Sequence, residues 1–175
     1  MITKFKIFEH KVFKPDVNSV SPEFWKMIEI ADWKSVIEGY RKHPTIDNTH
    51  KDFFNDAQKR IIVKYEFSEI KQFEKECHKI YIQLYRYFES TWLDDKYGKY
   101  MPSDDGYGDM LSSVIGLGKK FVINCINDVN LFINMAKDDY YAENFTYLFF
   151  IDEEDYVEIR SEADPLWGAA RKYNL

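Results

Sequence analysis

The chain has 175 residues, of which 45% are hydrophobic and 18% aromatic, enough to close one hydrophobic core and too apolar for a disordered polar chain. Its formal charge of -6, from 24 Lys+Arg against 30 Asp+Glu, disfavours a nucleic-acid binder, which needs a basic stripe to displace counterions, and favours a basic partner. Cys77 and Cys125 are too few and too far apart for a disulfide scaffold or a paired-thiol site. No run approaches the ~20 apolar residues of a membrane span, and Met1 to His10 lacks a signal-peptide core, so a cytoplasmic protein with reduced thiols and no membrane contact is expected.

Residues 1–20 read as an N-terminal arm or short strand, closed off by Pro15. Ser21-Pro22-Glu23 is a helix start: a hydroxyl cap, proline at the first helical position and an acid in the first turn. Phe24, Trp25, Ile28 and Ala31 then follow at helical spacing. Asp32 can cap a second piece carrying Trp33, Val36, Ile37 and Tyr40, or the two pieces are one kinked helix, weakened at Gly39 and ended at His43-Pro44. Thr49 starts another helix with Phe53, Ala57 and Ile61 on its apolar face, while the β-branched run Ile61-Ile62-Val63 leaves its end ambiguous.

The clearest helix follows Ser68, where Ile70, Phe73, Cys77, Ile80, Leu84, Tyr87 and Thr91 lie three or four apart. Trp92 to Met101 is a polar connection. Ser103-Asp104-Asp105-Gly106-Tyr107 is a second helix entrance, Ser103 capping free amides and the two aspartates facing the positive end of the helix dipole. Tyr107, Met110, Leu111, Val114 and Ile115 form its inner side, and its glycines imply close packing or a bend. Phe121, Val122, Cys125 and Ile126 continue a buried helix, and Asp128 can cap another with Leu131, Phe132 and Met135. Phe145 to Ile151 is a strand candidate by its aromatic content. The acidic run Asp152-Glu153-Glu154-Asp155 follows, and Asp164 to Gly168 supplies an apolar anchor for the tail. The expected fold is mainly α, a bundle-like array in one domain over 21–175, with at most a minor short β element.

Chemistry is sparse. The acids near Ser103 lack the alternating register of a calcium loop, and Gly116-Leu117-Gly118-Lys119 lacks the first glycine and the closing hydroxyl of a phosphate loop. The four histidines are scattered, and the two cysteines lie in apolar stretches that raise a thiol pKa rather than lower it. No catalytic, metal or cofactor motif is present, so no catalytic residue, metal ligand or cofactor is assigned.

With those residues in view, the chain resembles an uncharacterised bacterial family, domain of unknown function 4240. The resemblance rests on Phe24-Trp25 opening the N-terminal helix, a long middle helix, and Ser103-Asp104-Asp105-Gly106-Tyr107 leading into a helix that continues through Val114-Ile115 to Gly118-Lys119. It covers roughly Pro22 to Ile151 and departs at Leu111 and Ser113, where the family tends to have Arg and Trp. It implies an architecture and brings no assigned activity.

Two readings of function follow. The first is a small acidic interaction domain, of immunity or antitoxin type, that binds a basic protein through acids such as Asp152, Glu153, Glu154 and Asp155, with no nucleic acid and no membrane among its partners. The rival is an enzyme or small-ligand binder with a cleft beside Ser103, Asp104, Asp105 and Tyr107. The acidic run also has a plain reading as a solvated face. Whether the chain is a monomer or a homodimer is open at this level.

Overall fold

A computed structural model describes residues 14–42, 49–92, 103–142 and 145–173. Their regular elements are all helical: α1 (Pro22–Ala31), α2 (Trp33–Lys42), α3 (Thr49–Lys64), α4 (Phe67–Trp92), α5 (Asp104–Gly116), α6 (Lys119–Asn127), α7 (Val129–Lys137), a 3-10 turn (Phe145–Leu148), α8 (Glu153–Ala163) and α9 (Pro165–Tyr173). Among the described residues there is no strand. The arrangement is a bundle-like helical domain, as the periodicity predicts. No described helix is long and apolar enough to cross a membrane.

The organising element is α5. It touches α1, α2, α4, α6, α7 and the 3-10 turn, and from Met110 to Gly116 every residue is buried. Burying residues such as Leu111, Val114 and Ile115 stabilises the fold by roughly 1.5–3 kcal/mol apiece before entropy is counted. Gly116 is required there for space: a Cβ would lie 2.6 Å from the Trp33 ring and 2.9 Å from Phe145. Gly118, at φ +91, turns the chain from α5 into α6 through backbone space that L side chains rarely adopt.

The predicted starts of α1 and α7 hold in detail. Ser21 Oγ accepts from the Phe24 amide at 3.1 Å with Pro22 at the first helical position, and the Asp128 carboxylate accepts from the Asn130 amide at 3.0 Å. The α1–α2 pair is two helices, separated by Asp32 in the left-handed conformation (φ 49). Asp32 takes the Ser35 hydroxyl at 2.6 Å, and the last carbonyls of α1 are taken by Arg60, at 2.6 Å for Ala31 and 3.1 Å for Ile30. Gly39 is a contact point rather than a weakness, its Cα facing the Phe53 ring so closely that a Cβ would stand 2.6 Å away. The segment 61–63 is helical throughout.

Three expectations are corrected. The long helix begins at Phe67, not after Ser68, because the Glu69 carboxylate reaches back to the Glu66 amide at 2.8 Å and supplies the cap itself. Its 26 residues make it ~39 Å long. Phe145 to Ile151 is not a strand. Phe145, Leu148, Phe149 and Ile151 are buried while Tyr147 and Phe150 are exposed, a spacing near three rather than two, and i to i+3 bonds from Phe149 and Phe150 continue the turn. Leu131 sits at the surface, with Ile133 buried in its place. The tail anchor expected within Asp164 to Gly168 is Trp167, whose ring meets Tyr156 edge-on at 6.0 Å, while Leu166 beside it is 83% exposed.

Of the expected N-terminal arm, residues 1–13 lie outside the described region, 14–16 are irregular, and 17–20 are turn and bend. That stretch is tied along one face of α4: Gln83 accepts from the Asp16 amide and donates to Ser19, Lys79 donates to the Ser19 carbonyl, and Glu76 accepts from both the amide and the hydroxyl of Ser21. The loop at 43–48 and the polar connection at 93–102 lie outside the described residues.

Candidate functional site

Between α4, α5 and the 3-10 turn with the two residues after it lies an open cleft of about 720 Å³, within the range of small-ligand sites. Each wall is a polar stripe on a helix that buries its other face. Glu74, His78 and Tyr81 lie at i, i+4 and i+7 on α4; Asp105, Asp109 and Ser112 repeat that spacing on α5. Gly108 lets the walls come together, since a Cβ there would stand 3.3 Å from the Tyr81 hydroxyl. The rim is aromatic: Tyr147 and Phe150, 55% and 56% exposed, meet edge to face with ring centroids 5.5 Å apart.

The electrostatics of the cleft are mixed but lean negative. Glu74 is held by Lys71 at 2.8 Å, and Lys71 also reaches the Phe149 carbonyl at 3.4 Å, so this ion pair ties α4 to the segment carrying the aromatic rim. Asp105 is exposed. The Tyr81 phenol is raised above its usual value by burial first, then by Tyr85 and Asp109. Cys77 lines the inner wall, but burial pushes its thiol up to about 12, and Cys125 is pushed equally far by the same cause; neither forms thiolate near neutral pH. Among the described residues no group of three or more His, Cys, Asp or Glu side chains is placed to hold a metal ion.

The predicted site residues separate into three kinds. Ser103 is the cap of α5, accepting from the Gly106 amide at 3.2 Å. Asp104 is the first residue of that helix, and its carboxylate lies outside the described side chains. Tyr107 is buried against Phe132 and Tyr85, its hydroxyl donating to the Tyr85 carbonyl at 3.3 Å, so it faces the interior and not the cleft. Only Asp105 of this group lines the cleft.

Asp152, Glu153, Glu154 and Asp155 prove to be another helix start. Asp152 accepts from the Asp155 amide at 2.8 Å, Glu153 to Asp155 fill the first turn of α8, and Glu153 pairs with Arg171 of α9 at 3.3 Å. None of the four lines the cleft.

Sequence reasoning passed over Glu74, His78, Ser112, Tyr147 and Phe150. The signal available was the matched i, i+4, i+7 polar spacing on two apolar helices, which marks a shared face but does not say that the faces meet.

Comparison with known proteins places the chain in a family. The family described as "Protein of unknown function (DUF4240)" covers residues 21–171, and the chain belongs to that family. The match runs from the cap of α1 into α9, taking in the cleft and both acidic helix starts. No curated protein and no solved structure matches.

Proposed function

We propose that the protein is an acidic interaction domain that receives a basic segment of a partner protein in the α4–α5 cleft. The observation that carries this reading is the pairing of carboxylates on both cleft walls with the exposed Tyr147–Phe150 corner above them. Aromatic anchors over a concave surface supply affinity, and charge complementarity supplies fast association and partner choice. The acidic run at 152–155 is a weaker candidate, because its charges already serve a helix start. An immunity or antitoxin role, in which the domain covers a basic protein in the bacterial cytoplasm, is the specific form of this proposal, and the free, buried thiols of Cys77 and Cys125 suit that reducing setting.

A second reading has its own support: the cleft volume, and Asp105 in its wall, also suit a small ligand or an enzyme substrate. One experiment separates them. The protein is immobilised and used to capture partners from the cells that make it, alongside Asp105→Lys and a four-site reversal of Asp152, Glu153, Glu154 and Asp155 to Lys. A protein partner retained by the four-site variant and lost with Asp105→Lys is the expected result. Partners lost only with the four-site reversal would move the interface to α8, and capture of small molecules alone would favour the second reading.

A further inference from the structure

The fold holds one of its own arginines with the same set of groups that surrounds the cleft. The Arg160 guanidinium lies 4.8 Å from the Trp167 ring centre and 5.7 Å from that of Tyr156, two rings set at 89° with centroids 6.0 Å apart. A carboxylate, Glu66, is 3.1 Å away, and a hydroxyl, Tyr156, accepts from the guanidinium. The recipe is a perpendicular aromatic corner, a carboxylate and a hydroxyl, completed by the Tyr65 backbone carbonyl at 3.1 Å.

At the cleft, Tyr147 and Phe150 form a corresponding corner at 73° and 5.5 Å. Asp105, exposed on the α5 wall, supplies the carboxylate, opposite Glu74, which Lys71 holds. Ser112 supplies the hydroxyl: it lines the cleft and is only 5% exposed. No described arginine or lysine lines the cleft.

We infer that the cleft takes a guanidinium group, presented as an arginine side chain of the basic partner. The inference rests on the reading of the cleft as the partner site and narrows it to one side-chain chemistry. A guanidinium is planar and weakly hydrated, so it lies flat on an aromatic face while its fork of donors reaches a carboxylate and a hydroxyl together. An ammonium is a compact, strongly hydrated charge that gives up more solvation on the same ring. Elsewhere the chain places Arg41 over Tyr140 at 5.2 Å and Arg171 over Trp167 at 5.6 Å, against one lysine, Lys71, over Phe67 at 5.8 Å. At about 720 Å³ the space admits an arginine with its flanking backbone.

The test is calorimetric titration of the full chain with hexa-arginine, hexa-lysine and hexa-citrulline peptides, repeated on Asp105→Asn and on the double variant Tyr147→Leu/Phe150→Leu. All three positions are exposed, and an unchanged circular-dichroism melt verifies that the variants are folded. The expected result is hexa-arginine binding about tenfold tighter than hexa-lysine, no measurable hexa-citrulline binding, and a tenfold preference that collapses in the aromatic variant. Equal binding of the arginine and lysine peptides, both weakened by Asp105→Asn, overturns the guanidinium assignment and leaves the basic-partner reading standing. Binding that neither variant alters, or no binding of any peptide, overturns both.

Discussion

Two acidic stretches of this chain look alike in sequence and differ in use. Ser103 to Asp109 and Asp152 to Asp155 both open helices, both cap an amide three residues on, and both place carboxylates in the first turn. The start of α8 faces solvent and closes on itself, with Asp152 on the Asp155 amide and Glu153 on Arg171. The start of α5 stands at the edge of a cleft, and its second residue and its sixth, Asp105 and Asp109, face across to α4. A run of acids therefore says where a helix begins; only the packing around it says whether a charge is left to meet something else.

The test with the largest expected effect asks whether the cleft side is reactive as well as acidic. Cys77 and Cys125 keep their protons to about pH 12 in the folded chain, whereas in the unfolded chain they titrate near pH 9. Above that value the unfolded state has lost protons that the folded state retains. Stability is then undiminished below about pH 9 and falls as pH rises toward 12, by about 1.4 kcal/mol per pH unit for each thiol. Thermal melts from pH 8 to 10.5, compared with those of Cys77→Ala and Cys125→Ala, separate the thiol contribution from that of Tyr65, Tyr81 and Tyr156, whose phenols burial also raises. A disulfide reagent at pH 8 is expected to titrate neither thiol in the folded protein and both in denaturant; rapid labelling of Cys77 would make the cleft a site of covalent chemistry and break the comparison.

Next comes Arg160→Ala, which strikes behind the α8 start. It removes the hydrogen bond to the Tyr65 carbonyl at 3.1 Å and the contact with Trp167, and is expected to cost roughly 2–3 kcal/mol in denaturant unfolding. Hexa-arginine binding at the cleft should be unchanged. Smaller still, Asp152→Ala and Ser103→Ala each remove one cap and should cost about 1 kcal/mol. Similar losses from the two would confirm that the stretches are equivalent as helix starts, so that their difference lies only in what they face. The least effect is expected for Glu154→Lys, about 0.3–1 kcal/mol from the helix dipole and fading with added salt.

Where a helix begins was legible because its signals are local. Ser21-Pro22, Ser103 and Asp128 act within three residues of themselves, and apolar spacing identified Phe24, Ile70, Leu84 and Val114 as interior. The run from Phe145 to Ile151 misled because aromatic content favours a strand, while its actual burial has a period near three. Arg160 carried no local signal; its place between two rings depends on Tyr65 and Glu66 in one stretch of chain and Trp167 in another. The cleft was half legible. Asp105 stood in a segment already singled out, but its counterparts come from positions 74–81 and 146–150, and nothing in one dimension says that these meet. Ser113 was noted only as a departure from the family pattern, and its role came from contacts 80 and 29 residues away.

That serine bears on how the cleft meets a partner. Its hydroxyl accepts from the Trp33 indole at 3.2 Å and the Ala142 amide at 3.1 Å, and donates to the Ala142 carbonyl at 3.0 Å. Ala142 is thus staked to the middle of the central helix from within, and Phe145, two residues before the rim residue Tyr147, is pinned against Trp33. Such a mouth is shaped once, when the domain folds, and is not assembled on contact. Encounter with a partner should then proceed in a single kinetic phase whose rate rises linearly with concentration, without the plateau that a slow rearrangement imposes.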